Sequence, residues 1–204
     1  MGGKHGFRYV LHHLSEDWRK TRLPMWMTFL NMLPDVKSAV EFGCNIGANL
    51  KAIHYINPSI KLTGVEINRF AIDVLSEEGI CDIHCGTINA TNLGRKFDLV
   101  LLRGVLIHIK PDNLPTAFAN IDRHARKYLV IWETFSSEPF HLEAYSNRVT
   151  GAIHGEGYQF WCDFAGEFLR CCPGWEVVSS GVKHRVGAAP RHGDLHWTIL
   201  QRLS

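Results

Sequence analysis

The sequence has no long apolar run and no marked excess of charge of either sign. No stretch of its 204 residues approaches the ~20 apolar residues that a membrane-spanning helix requires, and residues 1–8 lack the apolar core of a signal peptide. Lysine plus arginine number 22 and aspartate plus glutamate 20, which gives a formal charge of +2 without clustered basic runs. We therefore predict a cytoplasmic protein with no membrane partner, and the balanced charge argues against nucleic acid as its main partner.

The six cysteines show none of the paired spacings of a zinc ribbon. Cys81, His84 and Cys85 come closest to a metal-binding set. They fall in a short apolar stretch predicted to be a strand, where alternation places the two thiols on one face and the imidazole on the other. We predict no metal site, and we expect buried, structural thiols in a reducing compartment.

Short apolar segments alternate with amphipathic segments along most of the chain. Strands are predicted at 36–42, 61–65, 80–85, 97–102 and 128–132, and helices at 46–56, 69–76 and 113–126. This alternation specifies an α/β fold, a doubly wound parallel sheet with a ligand crevice at the carboxyl ends of its strands. After a helix at 164–171, the strands predicted at 175–182 and 195–201 have no helix between them, so they should pair as an antiparallel hairpin at one edge.

The chain length predicts one domain, at the usual size of about 100–200 residues. Residues 1–35 are predicted to form a helical N-terminal cover, in which Pro24 separates two helices, and residues 36–204 to form the ligand-binding domain. Within that domain, residues 136–158 are polar and have no clear period. We predict a lid or substrate loop there.

A turn with two glycines follows the first predicted strand. Gly43 allows the chain to turn sharply, and Gly47 allows the backbone to approach a ligand closely. The spacing, with Glu41 inside the strand end, differs from the glycine pattern that receives a pyrophosphate. An acid suits a cationic ligand, and S-adenosylmethionine carries a sulfonium and an ammonium group. A turn that only serves packing is the alternative.

Glu66, at the tip of the second predicted strand, lies about 20 residues after this turn. At that position a carboxylate can accept hydrogen bonds from both hydroxyls of a ribose. Gly86, Thr87 and Ile88 follow the third strand, where side chains would border the adenine. A solvated loop acid is the alternative for Glu66, but its distance from the glycine turn favours the nucleoside.

Candidate catalytic residues follow the fourth and fifth predicted strands. His108 is a candidate base or orienting group, because the pKa of an unperturbed imidazole lies near neutrality. A histidine that packs beneath the crevice explains the same position equally well. Glu133, predicted just after the fifth strand, is the second candidate base, and His154, Tyr158 and Asp163 near the lid are candidate substrate contacts.

Together, these motifs resemble class I S-adenosylmethionine-dependent methyltransferases. The resemblance is carried by Glu41-x-Gly43-x-Asn45-x-Gly47, by Glu66 and by the strand that includes Asp98. Longer stretches at 41–50, 64–68, 104–109, 111–115 and 163–167 are similar to methylases associated with pseudaminic acid biosynthesis, and the similarity extends over about residues 36–202. It implies a Rossmann-like, seven-stranded, mostly parallel sheet, S-adenosylmethionine as cofactor and S-adenosylhomocysteine as product.

The same resemblance implies a methyltransferase activity and a set of cofactor-binding positions. These positions are Glu41, Gly43, Cys44, Asn45, Gly47, Asn49, Glu66, Ile67, Gly86, Thr87, Ile88, Arg103 and Gly104. Residues 1–33 and the loop after the fifth strand differ from that group, so we expect a small polar acceptor, methylated on nitrogen or oxygen by a monomer or homodimer. The alternatives are an RNA or protein methyltransferase of the same fold and a cofactor-binding partner subunit without turnover.

Overall fold

Strands and helices alternate along most of the chain. The computed structural model describes residues 10–11, 13–142, 145–147, 152–154, 159–183 and 195–203. The strands are β1 Ser38–Phe42, β2 Lys61–Glu66, β3 Asp82–Cys85, β4 Phe97–Arg103, β5 Ala125–Thr134, β6 Phe140–Leu142, β7 Tyr145–Asn147, β8 Ala152–His154, β9 Gln159–Trp161, β10 Trp175–Lys183 and β11 Leu195–Arg202. The fully described α-helices are α1 Trp18–Thr21, α2 Leu23–Met32, α3 Ala48–Ile56, α4 Arg69–Ser76, α5 Leu114–His124 and α6 Phe164–Cys171, and short 3-10 helices span Leu106–His108 and Pro111–Asn113.

Seven strands form one sheet in the order β10-β11-β5-β4-β1-β2-β3. Strands β1 to β5 run parallel to their neighbours, whereas β11 is antiparallel to both β5 and β10. This confirms the predicted α/β fold, a Rossmann-like sheet with an antiparallel C-terminal hairpin at one edge. The carboxyl ends of the parallel strands consequently share one edge of the sheet, where ligands of such folds bind.

The central strand β4 is buried on both faces of the sheet. Leu99 and Leu101 belong to the core beneath α2 and α3, and Val100 and Leu102 belong to the core beneath α5 and α6. Because successive side chains of a strand point to opposite faces, an uninterrupted apolar run is what a central parallel strand requires. Each of these side chains contributes about 1.5–3 kcal/mol by leaving water.

The N-terminal helices cover the same face of the sheet as α3. Pro24 lies in the first turn of α2, where its missing N–H costs no intrahelical hydrogen bond. Trp26 and Phe29 of this helix are fully buried. Upstream of α1, Val10 packs in a small cluster with Ile46, which belongs to the loop after β1. The N-terminal segment therefore reaches the loop that the sequence assigns to the ligand.

Two boundaries around β5 were predicted wrongly. The predicted helix at 113–126 ends at His124, and β5 begins at Ala125 and continues to Thr134. The ring of His124 holds this junction, since Nδ1 lies 2.7 Å from the carbonyl oxygen of Asn120 and Nε2 accepts a hydrogen bond from the Leu93 amide at 3.0 Å. The longer strand places position 133 inside the sheet rather than in the loop after it.

The segment predicted as an aperiodic lid contains short strands. β6 pairs antiparallel with β9, and β7 pairs antiparallel with β8. Each of these strands has only three residues, too few to produce a recognisable alternation in sequence. The sequence did not predict these short strands, and the role of the segment 136–158 as a lid stays a prediction.

The expectation of buried thiols fails at the edge strand β3. Cys85 is exposed and Cys81 half-buried, because β3 is the outermost strand of the sheet and has only one neighbouring strand. Within the described residues, no three His, Cys, Asp or Glu side chains are grouped so as to hold a metal ion. No described helix has both the length and the apolar character needed to cross a bilayer.

Asp98 joins three strands at the amino edge of the sheet. Its Oδ2 accepts hydrogen bonds from the amides of Lys37 and Ser38 and from the Ser38 hydroxyl, at 3.0–3.1 Å. Its Oδ1 accepts from Arg126 Nη1 at 3.0 Å. Burial by itself raises the pKa of Asp98, but these donors outweigh burial and hold the pKa below its ordinary value. The ionised carboxylate thus fixes the starts of β1 and β5 against β4.

We expect Asp98→Asn to lower the free energy of unfolding by about 2–3 kcal/mol at pH 7, because the amide loses charge-assisted hydrogen bonds inside the protein. Urea unfolding followed by circular dichroism measures the change. Asp82→Asn is the matched control, since the Asp82 side chain is exposed and forms a long ion pair of 3.7 Å with Arg95, and it should change the value by less than about 0.5 kcal/mol. Equal effects of the two variants would contradict this assignment.

Candidate functional site

The ends of four parallel strands bring most of the predicted site together. Phe42 at the end of β1 is in register with Val65 of β2 and Leu102 of β4, and Arg103 of β4 is in register with Trp132 of β5. The loops that follow these residues therefore start side by side at the carboxyl edge of the sheet. Predicted cofactor contacts from three separate stretches of sequence meet there.

The turn after β1 has the backbone that its glycines permit. Gly43 and Gly47 have φ angles of +71° and +74°, and Asn45 between them has +49°, all in the left-handed region that suits glycine and, less often, asparagine. A Cβ atom on Gly43 would overlap the side chain of Val105, from the loop after β4. A side chain at Gly43 would thus push the two loops apart, in addition to straining the turn.

Glu66 is buried at the tip of β2, where the sequence predicts it. Its Oε2 accepts a hydrogen bond from the amide of Asn45 at 2.8 Å. Its Oε1 accepts from the amides of Ile67 and Asn68 at 2.8 and 2.9 Å. The carboxylate therefore links the tip of β2 to the glycine turn and places negative charge between them.

Glu41 lies under the turn with only 2% of its surface exposed. Its Oε1 accepts a hydrogen bond from Asn49 Nδ2 at 2.6 Å, and Asn49 Oδ1 accepts one from Trp26 Nε1 at 3.1 Å. Burial raises the pKa of Glu41 to about 8, against the opposing effects of Asn49, Arg103 and Arg22. The sequence predicts an ionised Glu41 that attracts a cationic cofactor. A carboxyl group that is largely protonated at neutral pH attracts a cation less strongly.

Two predicted cofactor contacts have side chains directed away from the edge. Asn49 uses both its amide oxygen and its amide nitrogen in the buried chain from Trp26 to Glu41. Cys44 is buried in the core, and its Sγ lies 2.7 Å from where a Cβ on Gly64 would stand. Both side chains support the turn from below, so only their backbone is available at the crevice.

The loop after β3 lies beside Glu66. The amide of Gly86 donates to the Glu66 carbonyl oxygen at 3.0 Å, which holds the start of this loop against the tip of β2. Thr87 and Ile67 are exposed, whereas Ile88 is buried in the core beneath α5. Thr87 and Ile67 therefore border the crevice with side chains, and Ile88 anchors the loop.

Arg103 is the last residue of β4, and Gly104 follows it. β4 lies between β1, which carries Glu41, and β5, which carries Glu133. The Arg103 guanidinium lies 5.0 Å from the centre of the Trp132 ring, and the amide of Gly104 donates to the Trp132 carbonyl oxygen at 3.1 Å. The positive charge of Arg103 acts to lower the pKa of both Glu41 and Glu133. Arg103 is thus the cation that these two carboxyl groups share.

Glu133 lies within β5 rather than after it, and it is 2% exposed. Its Oε1 accepts hydrogen bonds from the amides of Val105 and Leu106 at 2.8 and 3.0 Å, at the start of the 3-10 helix that ends with His108. Burial raises the pKa of Glu133 to about 7, opposed by these amides and by Arg103. Among the described residues, Oε2 has no hydrogen-bond partner.

The remaining predicted site residues lie apart from the turn. His108 is exposed, so it does not pack beneath the crevice. Asp163 caps α6, with Oδ1 accepting from the Gly166 amide at 2.9 Å, and it lines a cavity that Glu133 also lines. His154 belongs to β8, and Tyr158 is outside the described residues.

Several residues around the site carried no signal recognised in the sequence. Trp26 lies in a segment interpreted only as a helical cover, and Val105 is one of many apolar residues after β4. Ser180, His196 and Thr198 line the cavity with Glu133, because β10 and β11 pair with each other and β11 pairs with β5. Alternation along these strands could have identified that shared face, but only once their pairing was known.

The two buried acids give the stability a defined dependence on pH. The folded protein binds a proton at such an acid more tightly than the unfolded chain does. For Glu41, the resulting stabilisation is complete when the pH is below 4.5, the ordinary pKa of a glutamate, and it is lost as the pH rises toward about 8. We expect Glu41→Gln to flatten the fall in unfolding free energy between pH 5 and 7.5, by up to about 1.4 kcal/mol per pH unit.

Urea unfolding at several pH values, followed by circular dichroism, measures this slope. Glu133→Gln provides a second test, with a narrower window because the pKa of Glu133 is raised only to about 7. A slope unchanged in both variants would show that neither acid binds an extra proton on folding.

Comparison with known proteins supports the fold and gives a match to its central part. Residues 40–127 match a family model described as a methyltransferase domain. No curated protein matches the sequence of the chain.

Solved structures match most of the chain at low sequence identity. The glycopeptide N-methyltransferase MtfA complexed with S-adenosyl-L-homocysteine has a TM-score of 0.64 and 12% identity, over 86% of this chain and 87% of that one. An S-adenosylmethionine-dependent methyltransferase from Clostridium acetobutylicum ATCC 824 has a TM-score of 0.68 and 11% identity, over 97% and 98%. Streptomyces venezuelae DesVI has a TM-score of 0.62 and 14% identity, over 97% and 99%. Residues 40–127 thus resemble a methyltransferase domain, and the chain has the Rossmann-like fold that these S-adenosylmethionine-dependent methyltransferases also have.

Proposed function

We propose that this protein is an S-adenosylmethionine-dependent methyltransferase whose acceptor is a small polar metabolite. The observation that carries the proposal is the Glu66 carboxylate, which is buried at the tip of β2 and hydrogen-bonded to the Asn45 amide of the glycine turn. Each carboxylate oxygen accepts more than one hydrogen bond, so Glu66 can also bind the hydroxyls of a ribose.

The other residues at this edge suit the same cofactor. Gly43 and Gly47 give the turn the left-handed backbone that it needs. Glu41 Oε2 is a buried atom with no hydrogen-bond partner among the described residues. In this assignment, Thr87, after β3, borders the adenine end of the cofactor, and Gly104 lies at the opposite end of the cofactor site. S-adenosylmethionine, when bound, supplies an electrophilic methyl group on its sulfonium.

The chain's own contribution to catalysis in this proposal is positioning and exclusion of water. Methyl transfer needs a nucleophile held in line with the sulfonium carbon, and fixed geometry supplies much of the rate. A base is required only if the acceptor must lose a proton before it attacks. His108 at the exposed edge and Glu133 beneath it are the candidates, since the pKa of Glu133 lies near neutrality.

A small polar acceptor is supported by the space next to Glu133. The proteins of similar structure include enzymes named for a glycopeptide and for magnesium protoporphyrin IX, so this fold accommodates very different acceptors. In this chain, the cavity that Glu133 and Asp163 line has a volume of about 210 Å³. The sequence resemblance to methylases associated with pseudaminic acid biosynthesis also favours a polar metabolite.

Substitution of Glu66 tests the cofactor site. We expect Glu66→Ala to raise the Kd for S-adenosylmethionine by about 30-fold or more, because hydrogen bonds to a buried carboxylate contribute more than neutral ones. Glu66→Gln should weaken binding less, since its remaining oxygen can still accept from the turn. Isothermal titration measures the affinities, with circular dichroism to verify folding.

Glu77→Gln is the matched control. Glu77 is an exposed carboxylate at the end of α4, and its variant should bind the cofactor as the parent does. A Glu66→Ala protein that folds and retains the parent affinity would overturn the assignment of the ribose.

A further inference from the structure

A small cavity adjoins the cofactor edge on the face of the sheet that α6 covers. Its volume is about 210 Å³, below the ~300–1,000 Å³ of pockets that enclose an entire small molecule. It therefore fits one small ring or one functional group with its neighbouring carbons. Residues from β5, from the start of α6 and from the C-terminal hairpin form its walls.

The cavity contains a buried acid with an unused oxygen. Glu133 is 2% exposed and lines the cavity. Its Oε1 is occupied by the amides of Val105 and Leu106, whereas Oε2 has no hydrogen-bond partner among the described residues. A buried polar atom without a partner is unfavourable unless a ligand or water satisfies it.

The polar groups around Glu133 favour a cation over an anion. Asp163 adds a second carboxyl group, and Ser180 and Thr198 add hydroxyls. No lysine or arginine is among the described residues that line the cavity. His196 also lines it, with its ring stacked on Phe135 at 4.2 Å between centroids.

Val105 connects the cavity to the glycine turn. Val105 packs against Gly43 with its side chain, and its amide donates to Glu133 at 2.8 Å. A group held at Glu133 is therefore one side chain away from the glycine turn. This proximity relates the cavity to the acceptor rather than to a remote ligand.

We propose that this cavity binds a protonated amino group of the methyl acceptor, with the carboxyl groups of Glu133 and Asp163 as its counter-charges. The inference rests on the proposed function, because it assigns the chemical class of that acceptor. An ammonium group satisfies Oε2 and neutralises a carboxylate that is otherwise buried without a paired cation on its cavity side. The acceptor is accordingly an amino sugar or another small aminated metabolite.

Matched pairs of amines and alcohols test this assignment without knowledge of the natural acceptor. The probes are glucosamine against glucose, and cyclohexylamine against cyclohexanol, titrated into protein saturated with S-adenosylhomocysteine. Chemical-shift changes at the backbone amides of Ser180 and Thr198 report occupancy of the cavity. We expect each amine to bind at least about tenfold more tightly than its alcohol, because a charge-assisted hydrogen bond is stronger than a neutral one.

Variants connect this preference to the cavity. Glu133→Gln should reduce the ratio of the two affinities to about one, while Glu176→Gln should leave it unchanged, because Glu176 is an exposed acid of β10 outside the cavity. If Glu133→Gln does not fold, Asp163→Asn retains the cap of α6 and should weaken amine binding by up to about fivefold. Thr198→Met, which fills the cavity, should abolish the binding of both probes.

The outcomes separate this inference from the proposed function. Failure of the parent protein to bind S-adenosylmethionine in isothermal titration would overturn the proposed function. Three results, each obtained with normal cofactor binding, would overturn only the assignment of the amino group. They are equal binding of amines and alcohols, no binding of either amine, and a preference for amines that neither acid variant changes.

Discussion

Carboxylates of neighbouring strands hold the loops at the carboxyl edge of this sheet. Where a parallel strand ends, the amides of the next few residues lose their ladder partners and need other acceptors. Glu66 of β2 accepts from the Asn45 amide of the turn after β1, and Glu133 of β5 accepts from the Val105 and Leu106 amides of the loop after β4. The crevice depends on this arrangement, since each acid determines where the adjacent loop begins.

The same edge concentrates acids in an apolar setting with few cations. Glu41 and Glu133 are both almost fully buried, and Arg103 acts on both of them. Burial favours the neutral form of a carboxyl group, whereas a cationic ligand favours the ionised form. The protonation states of Glu41 and Glu133 consequently depend on whether a cationic ligand is bound at the carboxyl edge. This dependence involves both acids and Arg103, and so belongs to the whole site.

The fold and the main predicted cofactor positions could be predicted from the sequence, because each depends on patterns within a short stretch of residues. The turn from Gly43 to Gly47 and the acid Glu66 follow from the strand ends that precede them, and the structure places both at the predicted edge. Contacts between distant segments were not predictable in this way. The hydrogen bond between Trp26 and Asn49, and the wall that the C-terminal hairpin forms beside Glu133, depend on which strands and helices become neighbours. The side chains of Cys44 and Asn49 illustrate the same limit, since a motif specifies their backbone but not the direction in which they point.

The long sequence separation between an acid and the loop it holds also bears on synthesis of the chain. β4 and the loop at Val105 and Leu106 leave the ribosome before Glu133, which lies 28 and 27 residues further along. Until β5 has emerged, these amides have no acceptor in the nascent chain and β4 has one unpaired edge. An exposed apolar strand of this kind is prone to non-native pairing. A pause in translation before β5 has emerged from the ribosome would prolong that state, and the emergence of β5 ends it.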